Sequence, residues 1–94
     1  MKLTEDQIKQ IVDGLENRKT KLVATHLITL NITNVLSKQK DGSYKNRVSY
    51  SQRDNENRYM PKDKLIERLR VETIRHSFEL ITTNKDKSET RVKI

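Results

Sequence analysis

His26 and His76 are the two side chains of this sequence suited to moving protons near neutral pH or to binding a transition metal. They stand at matching places in two similar stretches, THLITLNITN (25–34) and RHSFELITTN (75–84), and their rings would meet if those stretches were neighbouring strands. Zinc takes three or four protein ligands, and the flanking Thr25, Thr73 and Glu79 make a poor set. The expectation is therefore two half-buried histidines bonded to backbone or hydroxyl groups, with no metal site and no cofactor.

Other reactive chemistry is thinly represented. Magnesium-dependent nuclease chemistry needs at least two converging carboxylates, and PKDK (61–64) offers Asp63 where a helix would begin, a position that the helix dipole already explains. The two glycines, Gly14 and Gly42, lie too far apart to write either phosphate-binding glycine loop. There is no cysteine, which removes disulfides, thiolate metal sites and thiol nucleophiles together. No catalytic residue is assigned, and the chain is expected not to be an enzyme.

Binding chemistry is better supplied. YKNRVSYSQRDNENRYMPKDK (44–64) carries Lys45, Arg47, Arg53, Arg58, Lys62 and Lys64 together with Tyr44, Tyr50 and Tyr59. The formal net charge is +7, and five of those charges belong to residues 38–75. Lysine and arginine neutralise phosphates and release counterions, and tyrosine stacks on unpaired bases. A strand over 43–52 puts Lys45 and Arg47 on one face and Tyr44 and Tyr50 on the other. The predicted phosphate footprint gathers Arg47, Arg53, Arg58, Lys62 and Lys64 around the following loop, with Arg68 on the next helix and Tyr50 and Tyr59 as base contacts. The competing explanation is an edge strand that uses charge to prevent unwanted pairing.

The favoured function on this basis is a small, basic, regulatory or packaging protein that binds DNA or RNA through the 45–68 region. The alternative is an adaptor or inhibitor, phage or mobile-element encoded, that targets a nucleic-acid-handling host protein and is anchored by Tyr59 and Met60. Steep salt dependence separates the first from the second, and loss on removing one aromatic anchor marks the second. No apolar run reaches the roughly 18 residues of a membrane span, and MKLTEDQIKQ places acids where a signal peptide is apolar. A soluble, cytoplasmic protein without membrane contact is expected.

The elements that must position these groups follow from periodicity. Ninety-four residues make a single domain, 1–94, and a 32% apolar content implies a thin core that a second copy, as a homodimer, could reinforce. Thr4 caps a helix over 4–16 with Ile8, Ile11, Val12 and Leu15 on one face. Ile28, Leu30 and Ile32 alternate with polar residues, predicting a strand over 25–35, although helical spacing also fits part of 22–36. Asp41-Gly42 signals a hairpin turn, RDNENRYM reads as a polar loop, and Pro61 opens a second helix that ends near Arg70. Ile74, Phe78 and Leu80 then read as a third strand, and Val92 and Ile94 mark a fourth.

The predicted fold is a small α+β domain, α-β-β-α-β-β, with two short helices on an antiparallel sheet; a mostly helical chain with one hairpin is the alternative. The likeness of 25–34 to 75–84 suggests two helix–hairpin halves. In that arrangement the helices cover one face of the sheet and leave the other free to carry function.

Overall fold

The computed structural model describes residues 2–51, 53–71 and 75–94. Helix α1 spans Glu5–Leu15 and is started by a capping box, in which the Gln7 amide donates to the Thr4 hydroxyl and the Gln7 side chain accepts from the Thr4 amide. Ile8, Ile11, Val12 and Leu15 recur at helical spacing and are all buried. Gly14 lies where α1 packs closely on the sheet: a Cβ built there meets a methyl group of Leu80 at 2.9 Å.

Six strands follow the predicted antiparallel plan, two more than the alternation patterns foretold. They are β1 (Thr20–His26), β2 (Ile32–Lys38), β3 (Tyr44–Ser49), β4 (Asn55–Met60), β5 (His76–Thr83) and β6 (Glu89–Lys93), with helix α2 (Lys62–Val71) between β4 and β5. All are antiparallel to their neighbours, in the order β4-β3-β2-β1-β5-β6. The fold is α+β, and the mostly helical alternative is not what the chain adopts.

The extra strands come from two places. The single strand predicted over 25–35 is the end of β1, a turn over 27–31 and the start of β2; at the turn the Leu30 amide bonds the His26 carbonyl and the His26 amide bonds the Asn31 carbonyl. The predicted loop 53–60 contains β4, an edge strand on which Met60 alone is buried. Ile74, placed in the third strand by its spacing, lies outside the described residues.

Alternation divides each strand between two environments. Leu22, Ala24, Leu36, Tyr44, Met60, Phe78 and Leu80 point to the side covered by α1 and α2, and with Leu65 and Leu69 they complete the core. Tyr44 is fully buried. Its hydroxyl donates to Glu16 at 3.4 Å, so the ring is sunk in the core while its polar tip is satisfied at the core's edge. Both helices lie on this side, and among the described residues no element covers the other face of the sheet.

The chain also has an internal symmetry of element order. α1–β1–β2 and α2–β5–β6 are equivalent helix–hairpin units that meet through β1 and β5, with Val23 opposite Glu79 at the midpoint of the pairing. The 25–34 and 75–84 likeness is not that equivalence. The first stretch runs from the end of β1 through a turn into β2, whereas the second is one continuous strand.

Candidate functional site

The uncovered sheet face is built from the alternate residues of every strand. One row runs unbroken across six strands as Asn57, Arg47, Val35, Val23, Glu79 and Lys93. The adjacent row places Tyr59 opposite Lys45 and Lys45 opposite Ser37. It continues on the other half with Lys21 opposite Ile81 and Ile81 opposite Arg91. A shallow concavity of about 300 Å³ lies between these rows, lined by Lys21, Val23, Val35, Lys45, Arg47 and Ile81 among others. The centre is aliphatic; the β3–β4 flank is cationic, and the β5–β6 flank mixes Arg91 and Lys93 with the carboxylates of Glu79 and Glu89.

Ion pairing is sparser on this face than on the helical side, where Lys9 and Arg68 are the cations of α1 and α2 without a carboxylate partner among the described residues. Among the described residues, Lys21, Lys45, Arg47 and Lys93 form no ion pair, while Arg91 is held by Glu89 at 3.1 Å and Glu79 at 4.0 Å. On the helical side Lys38 reaches Glu16 at 2.6 Å, Lys62 reaches Glu16 at 3.8 Å, Lys64 reaches Glu67 at 3.5 Å and Arg70 reaches Glu5 at 2.9 Å. The hydrogen bond from Lys38 is the main cause holding the Glu16 carboxyl below the usual glutamate range, with Lys62 and Tyr44 adding to it.

Six cations and three tyrosines adjacent in sequence are thus dispersed in space. Lys45, Arg47 and Tyr59 share the open face. Arg58 projects to the opposite side, where its guanidinium donates to Glu56 at 3.2 Å and to the Tyr50 hydroxyl at 2.7 Å. Tyr50 in turn donates to Glu56 at 2.9 Å, and this trio holds the Glu56 carboxyl below its ordinary range, chiefly through the Arg58 hydrogen bond. Arg53 sits in the β3–β4 turn, and Lys62, Lys64 and Arg68 belong to α2. The footprint expected around the loop, with Arg58, Lys62 and Lys64 beside Arg47, is not assembled.

Lys21, Val23, Val35, Ile81 and Lys93 were missed as members of a surface. The signal available for the first two was the alternation in TKLVAT, where Lys21, Val23 and Thr25 oppose Leu22 and Ala24.

The histidines do meet. His26 is opposite His76 in the β1–β5 register, their rings edge-on with centroids 5.5 Å apart. The Nδ1 of His26 accepts from the amides of Ile28 and Thr29 at 3.2 and 3.4 Å, and His76 is tilted against Phe78. Among the described residues no group of three or more histidine and carboxylate side chains is placed to hold a metal ion, and no helix is long and apolar enough to cross a membrane. No family model matches this chain, and neither a curated protein nor a solved structure is found similar to it.

Proposed function

We propose that this protein is a non-enzymatic nucleic-acid-binding protein whose interface is the uncovered sheet face, and that it takes a single strand of DNA or RNA. The observation that carries this reading is the contrast in pairing. On the helical side Lys38, Lys62, Lys64 and Arg70 are matched with carboxylates while Lys9 and Arg68 are not; on the open face, among the described residues, Lys21, Lys45, Arg47 and Lys93 have no ion pair and Arg91 alone has one, beside an apolar centre. Phosphates would meet the unpaired cations. Bases would lie against Val23, Val35 and Ile81, with Tyr59 available at the β4 edge for stacking. An open six-stranded face suits an extended strand, whose bases are open to contact on their faces.

The protein-binding alternative loses the anchor pair that sequence suggested, because Met60 is a core residue and Tyr59 stands alone on the other side of the strand. The test is fluorescence anisotropy of a labelled single-stranded oligonucleotide, titrated from low to physiological salt. The expected result is binding whose log–log salt slope corresponds to about 0.7 per phosphate contacted, summing over three or four cations. Salt-independent binding, or none at low salt, would contradict it.

A further inference from the structure

At one end of the sheet, where β1 turns into β2, the chain presents Leu27, Ile28, Leu30 and Ile32 to solvent, at 50%, 86%, 74% and 53% exposure. A chain with so few apolar residues leaves four of its largest aliphatic side chains at a single tip, and such a patch marks a contact surface. The tip is also fixed. The His26 ring accepts two of its amides, the Leu27 amide bonds the Arg75 carbonyl, and Leu30 is held at φ 60, a left-handed conformation that branched side chains avoid.

The surroundings say what covers it. Arg75 adjoins the tip through that backbone bond, and Arg53 stands in the neighbouring β3–β4 turn. Arg47 lines the groove of about 500 Å³ between the two turns, with Ile32, Thr33, Ser49, Tyr50 and Asn55. With Asp54 as the carboxylate of the β3–β4 turn, the charged neighbours of the tip, Arg47, Arg53 and Arg75, are net positive, which favours an anionic partner over a second copy of the same surface. An apolar plane ringed by negative charge is the end of a nucleic-acid duplex, whose last base pair is bordered by phosphates. Arg47 lines both this groove and the concavity of the open sheet face, so the two surfaces are continuous.

We infer that the β1–β2 tip is a wedge that packs Ile28 and Leu30 on the terminal base pair where a duplex splits, while the departing strand runs through the groove onto the sheet face. The inference rests on the proposed single-strand reading and adds a preference for junctions. Aliphatic side chains are known to serve as wedges against base steps in this way.

The test compares a labelled single strand with a forked duplex carrying the same strand as its tail, with 2-aminopurine in the last base pair of the fork. Wild-type protein is expected to bind the fork about ten-fold more tightly than the strand alone, and to change the fluorescence of the junction base. The double variant Ile28→Asn, Leu30→Asn is expected to lose both effects and keep its single-strand affinity. It should melt no lower than wild type, since asparagine suits the left-handed position. Equal wild-type affinity for fork and strand, or a fork preference that survives in the variant, would overturn the wedge and leave the sheet-face reading standing. A concentration-dependent dimer abolished by the variant would assign the tip to a second copy and overturn it equally. If no nucleic acid binds, the sheet-face reading itself fails and takes the wedge with it.

Discussion

Lys45 and Tyr59 stand directly opposite one another across the β3–β4 pair, on the sheet face away from α1 and α2. Tyr59 is 62% exposed, an aromatic ring beside a cation that has no ion-pair partner among the described residues. A ring so placed adds little to the core, so its value lies in what it meets from outside. Tyr59→Ala is expected to weaken single-strand binding by about 1–3 kcal/mol, the usual effect of losing one stacked base. The melting temperature should stay close to that of wild type. Isothermal titration beside a thermal melt checks both halves of the statement.

Glu16 collects Lys38, Lys62 and the Tyr44 hydroxyl at the C-terminus of α1. Its carboxyl is held below the usual range, so it binds a proton less readily when folded than when unfolded. Its contribution is present above the ordinary glutamate pKa and is lost as pH falls through the lowered folded value. Lys38 and Tyr44 are shifted upward, the first mainly by its hydrogen bond to Glu16 and the second mainly by burial. Their contributions are present below their ordinary values and are lost at alkaline pH. Melts of wild type and Glu16→Gln should therefore differ at neutral pH and converge in acid.

Leu30 at φ 60 carries a backbone cost without compensating burial. Replacing it with asparagine, which tolerates that conformation, should raise stability by about 1 kcal/mol. Chemical denaturation measures the change directly. An equal or lower stability would mean that the leucine side chain contributes to the fold in a way that its exposure conceals.

Gly14 makes the opposite case. Its missing side chain lets α1 settle on Leu80, and Gly14→Val is expected to destabilise the domain by about 1–3 kcal/mol through overpacking. The same denaturation experiment reads it.

These positions also show what the sequence could and could not reveal. Helix α1 was legible because its cap, acidic first turn and apolar spacing agree, and the hairpin between β2 and β3 because Gly42 supplies the positive φ its turn requires. The β1–β2 turn was not legible. It contains neither glycine nor proline, uses a leucine at the left-handed position, and alternates Thr29, Leu30, Asn31 and Ile32 as a strand would. Strand β4 was hidden because an edge strand exposed on both sides shows no apolar alternation to detect.

The open sheet face was half visible for a related reason. Lys45 and Arg47 were placed correctly on one side of β3, but a cluster that is contiguous in sequence suggested a single footprint. The β-pleat then sent Arg58 to the side opposite Tyr59. Lys21, Val23, Ile81 and Lys93 come from strands distant in sequence. Only the strand order brings them together.

Paired charge reversals test most directly the proposal that the open face of the sheet meets nucleic acid. The double variant Lys21→Glu, Arg47→Glu removes two cations from the open face, and Lys62→Glu, Lys64→Glu removes two from α2, with the same change in net charge. Anisotropy with one labelled single strand at one salt concentration should show a loss of more than about ten-fold for the first pair and a much smaller, generic loss for the second. Equal losses would reduce the interaction to overall basicity, and a larger loss for the α2 pair would place the interface on the helical side.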